Sequence, residues 1–534
     1  MTADHWRGNR TRYRFSPLER RGLIAGWRGG QIASVAAGLL VGVVAIRTRP
    51  SVGGVALALV GMMAGLGVAF WPIRGRTGEQ WLPLVARWLW PAVAGRRRQV
   101  TPAPGRGHLA TVESSAQARS AVDVRPVTGR LRAGGSPRVF DGLKVTGTPL
   151  GSLDSGPELG MVIDERARTA TAALVVRGHS FALLGSVDQD GRIAAWARVL
   201  SSLAREGSDV HRVQWIETCL PDDGAAVRRH VAEHAALDLD APARRSYQEL
   251  VDEAAPVTRR HRILLALSIR TGRSSRAVRG SGRRASGIGD VLAREVQNLH
   301  RGLDGADIIV DGVLGPGALA RVIAEASAPL DGTADRTGLA VAAPWAEPGP
   351  GRESAPAAHG DRVTSWPWPM AVEPTWAAVH TDATWHATYW IAEWPRVDVT
   401  PDFLGPLLFS PLRRSISLVM EPISPSRAAR QVAQARTADL ADGELRRRGG
   451  FLSTARHARE KESVEERDVE LADGHAQYRF SGYVTVTTDS AEDLKGASMA
   501  VEQAAGQAGI ELRLLYGMQD VAFTCSLPLG RGLS

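Results

Sequence analysis

Lysine is nearly absent from this sequence. It occurs three times in 534 residues, as Lys144, Lys461 and Lys495, and none of the three is followed by serine or threonine. A P-loop needs a Lys-Ser or Lys-Thr pair, because the lysine reaches the β- and γ-phosphates of the nucleotide. The sequence therefore predicts that this chain has no P-loop of its own.

Cysteine and metal-ligand motifs are also scarce. Cys219 and Cys525 are the only cysteines, which is too few for a cysteine-based zinc site or a disulfide framework. His230 and His234 lie four residues apart, but the intervening glutamate is Glu233, whereas zincin-type hydrolases have His-Glu-x-x-His. We expect no metal site, no cofactor and no catalytic residue.

Two long stretches lack charge altogether. No Asp, Glu, Lys, Arg, Asn or His occurs in residues 29–46 or 50–73. As a helix the first stretch is about 27 Å long, close to the hydrocarbon thickness of a bilayer. The connection between the stretches is so short that two helices here must form an antiparallel hairpin. The sequence therefore predicts a transmembrane hairpin over residues 29–73.

Two other interpretations of these stretches fit less well. A hairpin buried in a soluble core would usually include some polar residue, and a signal peptide would be followed by a polar cleavage site rather than a second apolar stretch. Glycines such as Gly38, Gly42, Gly61 and Gly65 are frequent in both stretches. Small residues let helix backbones approach closely in lipid, which again favours a membrane hairpin.

The distribution of arginine predicts the orientation. Seven arginines lie in residues 1–28, two lie in the turn of the hairpin and six lie in residues 74–98. By the positive-inside rule both termini are cytoplasmic, and we expect a two-pass protein of the bacterial inner (cell) membrane. The net charge of +9 is explained more simply by anionic membrane lipids than by nucleic acid, so no direct nucleic-acid binding is expected.

Residues 74–98 are predicted to form an amphipathic helix on the membrane surface. Trp81, Leu84, Val85, Trp88 and Leu89 recur at helical spacing, and tryptophan and arginine favour the headgroup region. Docking of a partner subunit on this helix is an equally good interpretation. The residues expected at the membrane interface are Trp27, Arg28, Arg47, Arg49, Trp71, Arg74, Trp81, Trp88, Arg96, Arg97 and Arg98.

Strand and helix signals alternate in the rest of the chain. Two parts, roughly 200 residues apart, share the order strand, helix, strand, helical insert, strand, helix, strand. This order predicts an α+β fold with two ferredoxin-like (split βαβ) units, each with a helical insertion. The predicted segments are a basic lead-in 1–28, the hairpin 29–73, the juxtamembrane helix 74–98, a linker 99–155 with a short strand at 138–140, a first α/β domain 156–325, a linker 326–365, and a second α/β domain 366–534 with a helical insert 424–474.

Six tryptophans are concentrated between residues 366 and 394. Tryptophan is frequent at partner surfaces, but it is equally suited to a well-filled core around one sheet. The sequence leaves both interpretations open. The candidates for a partner surface are Trp385, Trp390 and Trp394.

Two stretches resemble components of conjugation-type (type IV) secretion systems. The hairpin followed by Trp71-Pro-Ile-Arg-Gly-Arg-Thr-Gly-Glu-Gln-Trp-Leu resembles the PrgI family of two-helix membrane subunits. Ser481-Gly-Tyr-Val-Thr-Val-Thr and the ending Gln519-Asp-Val-Ala-Phe-Thr-Cys-Ser-Leu-Pro-Leu-Gly530 resemble the amino-terminal domain of VirB-type secretion ATPases, the CagE, TrbE and TraC relatives. The whole is similar to an actinobacterial integral membrane family that fuses these two parts and is found beside a separate ATPase.

The resemblance implies a non-catalytic scaffold in contact with membrane lipids, a separate P-loop ATPase and other membrane subunits of an oligomeric assembly. It also implies a partner surface at Gln519, Phe523 and Pro528 of the ending motif, without the motor domain that follows this motif in the ATPases. A type VII (EccE-like) membrane component is the second interpretation. A membrane-tethered glycosyltransferase is the third, although Asp238-Leu-Asp240, which matches its metal motif, falls in a predicted helical insert.

Overall fold

The computed structural model describes sixteen parts of the chain, and the statements below concern these residues. The lead-in 1–28, most of the two predicted linkers and part of the first helical insert lie outside them. The described residues are 29–48, 50–73, 76–93, 99–100, 137–150, 158–178, 181, 184–221, 228, 241–254, 259–272, 285–329, 341–342, 367–400, 402–449 and 455–533.

Two apolar helices begin the described chain. Helix α1 spans Gly29–Thr48 and helix α2 spans Val52–Phe70, with the Ser51 hydroxyl accepting a hydrogen bond from the Gly54 amide as the N-cap of α2. By length and composition both are candidates to cross a membrane, and outward side chains such as Val43 are 62% exposed. The structure is thus consistent with the predicted membrane anchor.

A short connection leads from the hairpin to a third helix. Strands β1 (Pro72–Ile73) and β2 (Arg76–Thr77) pair with each other, and helix α3 spans Gly78–Val93. The body that follows is one large antiparallel sheet with helices on both faces.

The remaining elements of the described chain are as follows. The strands are β3 Gln99–Val100, β4 Leu143–Pro149, β5 Glu158–Asp164, β6 Thr169–Gly178, β7 Val210–Pro221, β8 Arg259–Arg270, β9 Ile308–Leu314, β10 Val341–Ala342, β11 Ala371–Pro374, β12 Val379–Thr381, β13 Thr384–Glu393, β14 Arg414–Ile423, β15 Gln477–Thr488 and β16 Glu511–Leu514. The helices are α4 Ser186–Leu203, α5 Ala241–Ala254, α6 Ala285–Asp304, α7 Pro316–Glu325, α8 Gly405–Leu408, α9 Pro425–Gly449, α10 Ala455–Ala472, α11 Ala491–Gln507 and α12 Gln519–Thr524.

The two halves of the body repeat the predicted order of elements. The first half runs β6, α4, β7, α5, β8, α6, β9, and the second runs β13, α8, β14, α9, α10, β15, α11, β16. Side by side, the strands lie in the orders β9-β6-β8-β7 and β16-β13-β15-β14. In both halves the fourth strand therefore lies beside the first, and the third lies between the first and the second.

The repeat extends beyond the predicted elements. Strands β4 and β5 lead into β6, just as β11 and β12 lead into β13, and a short helix, α7 or α12, follows the fourth strand of each half. Strand β4 lies inside the predicted linker, and residues 138–140, predicted as a strand, form a turn. The alternation of buried Leu143 and Val145 with exposed Lys144 is the local reason that a strand forms here.

One continuous sheet results because β7 of the first half pairs with β14 of the second, over residues 213–219 and 414–420. Trp215 on β7 packs against the cores beneath the helices of both halves. On the other face, α7 and the carboxy-terminal residues Phe523, Leu527 and Leu529 form one core. The two halves therefore share their packing on both faces of the sheet.

Two helices lie between β14 and β15. Helix α9 ends at Gly449, the predicted break, and pairs with α10 around a small core of Val432, Ala435 and Val464. An ion pair joins Arg436 to Asp468 across the two helices.

Candidate membrane and partner surfaces

Close contact between α1 and α2 depends on glycine. A Cβ atom on Gly38 would lie 2.9 Å from the carbonyl oxygen of Gly61, and a Cβ atom on Gly65 would lie 2.8 Å from the carbonyl oxygen of Ser34. These neighbours are backbone atoms that cannot turn aside as a side chain would. The hairpin therefore presents a seam of small residues inward and its large apolar side chains outward.

Helix α3 packs on the end of the hairpin where α2 finishes. A Cβ atom on Gly78 would lie 2.9 Å from the Val68 carbonyl oxygen, and Gly30 lies against the Glu79 carboxylate. Glu79 Oε1 also accepts a hydrogen bond of 3.2 Å from the Thr77 hydroxyl. The first turn of α3 is thus in direct contact with both helices of the hairpin.

The same helix also packs on the second half of the body. The Trp81 ring lies 5.9 Å from Trp376 and 5.8 Å from Tyr516 between ring centroids, and the Trp88 ring lies 5.0 Å from Trp376 edge to face. Trp376 lies between β11 and β12, and Tyr516 follows β16. We call these four residues the aromatic cluster.

The aromatic cluster changes the interpretation of α3. Trp81 and Trp88 were predicted at the membrane interface, but the structure places their rings against the body. Helical spacing predicted one apolar face that included Leu89, but Leu89 is exposed on the other side of the helix. Spacing also could not identify what covers the rest of that face. The opposite side of α3, with Leu82, Leu89 and Trp90, is the exposed one.

The other predicted interface residues fall into two groups. Arg47 is exposed in the last turn of α1, and Trp71 is exposed directly after α2, as an interfacial position requires. The others, which lie outside the described residues, are Trp27, Arg28, Arg49, Arg74, Arg96, Arg97 and Arg98.

The three candidate tryptophans of the second half are all half-buried. Trp385 stacks on His380 with ring centroids 4.6 Å apart, and Trp390 packs against the small core on the α12 side. Trp394 meets Phe480 edge to face at 5.8 Å. Each ring thus contributes to the packing of the sheet and also reaches the surface, and a partner surface at these positions stays a prediction.

The ending motif lies inside the body. Gln519, Phe523 and Pro528 are buried, whereas a partner surface would require them on the outside. The Gln519 side chain accepts a hydrogen bond from the Thr388 amide at 2.8 Å and donates one to the Thr388 carbonyl at 3.0 Å. Phe523 packs on His386, with ring centroids 4.3 Å apart. In this chain the motif therefore packs on the sheet as part of the core and does not form an exposed surface for a partner.

The residues after α12 cross to the first half and are held there by polar contacts. Gln214 on β7 donates to the Leu527 carbonyl at 3.0 Å and accepts from the Gly530 amide at 2.8 Å. The Arg531 guanidinium forms an ion pair with Asp164, with the two closest atoms 2.7 Å apart. Sequence reasoning missed this attachment, because nothing in the local pattern around Gln214 indicates a contact with the far end of the chain.

A buried charged group lies where β7, β8 and β14 run side by side. Glu217 Oε1 lies 2.6 Å from His261 Nδ1, and Glu217 Oε2 accepts a hydrogen bond from Arg414, which is fully buried. Burial raises the pKa of the neighbouring Cys219 thiol, and burial raises the pKa of Cys525 to about 12. Thiols with raised pKa values stay protonated and are poor nucleophiles. Glu217 and Arg414 form a buried ion pair that joins β7 to β14.

His386 is a second buried titratable side chain. Its Nε2 lies 2.6 Å from the Thr381 hydroxyl and its Nδ1 lies 2.9 Å from the Thr487 hydroxyl. Burial, with a smaller effect of Arg413, holds its pKa well below the ordinary value. The ring is therefore neutral and links neighbouring strands of the second half.

Two features of the described part of the chain bear on ligand binding. No three of its His, Cys, Asp and Glu residues are grouped so that they could hold a metal ion. A cavity of about 30 Å³, lined among others by Arg262, Glu325 and Arg413, lies where the two halves meet. This volume has room for a few water molecules.

Comparison with known proteins assigns no family to this chain. No family model matches it, and no curated protein matches it. Its function must be inferred from the sequence motifs and from the surfaces described above.

Proposed function

We propose that the chain is a membrane-anchored, non-catalytic scaffold of a conjugation-like (type IV) secretion system that holds a separate P-loop ATPase at the inner face of the membrane. The observation on which this proposal depends most is the position of α3, which packs on the hairpin with its first turn and on the second half through the aromatic cluster. Because α3 contacts both the hairpin and the body, it fixes their arrangement relative to each other, as a scaffold requires.

The membrane anchor is the first part of the proposal. The outward side chains of the hairpin, such as Val43, Val60 and Met63, are more than half exposed. In water such a surface would favour aggregation, but in a bilayer it meets lipid, while the glycine seam supplies close helix packing. Arginines on both sides of the hairpin favour a cytoplasmic position for its two ends, by the positive-inside rule.

The body is the second part. We assign each half as a ferredoxin-like unit, because each has the split βαβ order and the strand arrangement described above. In this assignment β7 and β14 are the second strands of the two units, and their pairing joins the units edge to edge. The arm formed by α9 and α10 is available for contact with other subunits of the assembly.

The ATPase surface is the third part. Because the ending motif is buried, we assign the candidate contact on the second half to the aromatic pair of Trp394 and Phe480, whose rings pack on each other and reach the surface. Phe480 is 46% exposed, and aromatic side chains that are partly fixed by packing are favoured contacts in protein interfaces.

The experiment is affinity purification of the tagged full-length protein from native membranes in mild detergent, with identification of bound proteins. We expect a P-loop ATPase to be recovered with the wild-type protein and much less of it with Phe480→Ser. Met499→Ser, at a position 67% exposed on α11, is the control and should recover as much as wild type.

Absence of any P-loop ATPase from the wild-type sample would contradict the proposal. Recovery of type VII components instead would assign the chain to the alternative, EccE-like class. Equal recovery with Phe480→Ser would leave the scaffold role but reject this contact surface.

A further inference from the structure

Helix α3 has a second apolar stripe, on the side turned away from the body. Leu82, Leu89 and Trp90 are 58%, 46% and 80% exposed, and Pro83 and Ala86 between them are exposed as well. These residues recur at helical spacing between positions 82 and 90. A surface of this kind on one helix needs an apolar neighbour in addition to the body.

The two stripes lie on well-separated sides of the helix. The half-buried side contains Trp81, Leu84, Val85 and Trp88. At 3.6 residues per turn, the centre of the exposed stripe lies roughly 140° around the helix from the centre of this side. A surface helix of a water-soluble body is apolar on one side only, so α3 is built to lie between two apolar surroundings.

The position of α3 identifies the second surrounding. Its first residue, Gly78, packs on Val68 near the end of α2, so the exposed stripe begins beside the outward apolar surface of the hairpin. Trp71 at the junction is also exposed. Trp90 and Trp71 belong to the residue type that favours the boundary between headgroups and acyl chains.

The charges around α3 favour the same neighbour. Arg87 is exposed on the helix itself, and the sequence places arginines before it at positions 74 and 76 and after it at positions 96–98. Arginines near an anionic leaflet are attracted to its headgroups. A second protein would have to match this cationic and apolar surface specifically, whereas an anionic bilayer matches it by its ordinary composition.

We propose that the stripe of Leu82, Ala86, Leu89 and Trp90 inserts at the headgroup–acyl boundary of the leaflet in which α2 ends. Helix α3 is then held between lipid on this side and the aromatic cluster on the other. The side of the second half that includes Trp376 and Tyr516 therefore faces the membrane. This inference depends on the membrane anchor proposed above but not on the ATPase.

Site-specific fluorescence in vesicles tests the insertion. The native Cys219 and Cys525 are buried, so a single introduced cysteine can be labelled selectively with an environment-sensitive dye. The full-length variants Leu89→Cys, Val43→Cys and Met499→Cys are labelled and reconstituted into phosphatidylcholine–phosphatidylglycerol vesicles, with and without nitroxide lipids. Val43 reports the membrane span, and Met499 reports the exposed surface of the body.

We expect the dye at position 89 to have blue-shifted emission and to be quenched more by a nitroxide near the headgroup than by one at the acyl terminus. The dye at position 499 should be unquenched, and the dye at position 43 should be quenched by nitroxides within the acyl chains. Leu82→Cys should repeat the result of Leu89→Cys.

Each contrary outcome has a distinct meaning. An unquenched dye at position 89 together with a quenched dye at position 43 would reject the insertion and leave the anchor standing. A blue-shifted but unquenched dye at position 89 would mean that protein, such as a second copy, covers the stripe, and would also reject the insertion. Unquenched dyes at both positions would reject the anchor as well.

Discussion

At the scale of single residues, Gln214 is the side chain that fastens the end of the chain to the first half. Gln214→Ala would leave the Gly530 amide and the Leu527 carbonyl without this partner in a buried setting. We expect the free energy of unfolding of the body to fall by about 3 kcal/mol.

Denaturant unfolding in detergent measures this loss, and Gln434→Ala is the matched control. Gln434 is exposed on α9, so its replacement should change the free energy of unfolding by less than about 0.5 kcal/mol. Equal stability of the two variants would mean that the carboxy-terminal attachment contributes nothing.

His386 makes stability depend on pH in one direction. Its pKa is held below 6.5 in the folded chain, chiefly by burial, so the unfolded chain binds its proton first as the pH falls. The contribution of neutral His386 to the free energy of unfolding is complete above about pH 6.5 and is lost progressively below it. Burial and the neighbouring Arg212 lower the pKa of His211 to about 4. His211 therefore adds a further loss of stability as the pH falls.

We therefore expect the thermal midpoint to fall between pH 7 and pH 5, and to fall less for His386→Gln, which cannot titrate. His475→Gln, at an exposed position, should keep the wild-type pH dependence. If the midpoint of His386→Gln falls as steeply as that of wild type, another group is responsible.

At the scale of elements, the hairpin offers a matched pair of glycines in one helix. A Cβ atom on Gly65 would meet backbone atoms at 2.8 and 3.1 Å, whereas a Cβ atom on Gly67 would meet nothing within 4 Å. We expect Gly65→Leu to separate α1 from α2 at a cost of about 2 kcal/mol or more, and Gly67→Leu to be tolerated on the lipid side.

The midpoint for loss of the monodisperse peak on heating in mild detergent measures this difference. A lower midpoint for Gly65→Leu alone would support the seam. Similar midpoints for the two variants would argue against packing of α1 on α2 through glycine.

Attachment of α3 to the body depends on Trp376, which contacts both Trp81 and Trp88. Trp376→Ala should remove about 2 kcal/mol of aromatic packing, so amide exchange in α3 should accelerate by more than tenfold. Exchange in the strands of the first half should stay unchanged.

Gln434→Ala is the control in the same hydrogen–deuterium exchange experiment in detergent, because Gln434 is exposed on α9. It should leave the exchange of α3 near the wild-type rate. Unchanged exchange in Trp376→Ala would mean that the aromatic cluster does not hold the helix.

Element order could be predicted from the sequence because each element has its own local signal. Uncharged stretches indicated α1 and α2, and the alternation of strand and helix patterns gave the repeated order of the two halves. The strand at Leu143–Pro149 was placed in a linker because the surrounding glycine and proline residues obscured the alternation at Leu143 and Val145.

At the scale of the whole molecule, the contacts between distant elements could not be predicted. Nothing local in β7 or β14 indicates that these two edges pair, because edge choice depends on the fit of the helices on both faces. The same limit explains why Gln519 and Phe523 were expected at a surface. An amide and an aromatic ring suit a partner surface and a closed core equally well, and only the folded chain decides between them.

The central claim is that this chain is a membrane-anchored scaffold that does not hydrolyse ATP itself and that holds a separate ATPase. Phosphate release from ATP by the purified wild-type chain alone, compared with the complex purified from native membranes, tests this claim most directly. We predict no release above background for the chain alone, and ATP hydrolysis by a complex that contains a P-loop protein. Hydrolysis by the chain alone, or a native complex without any P-loop ATPase, would contradict the account.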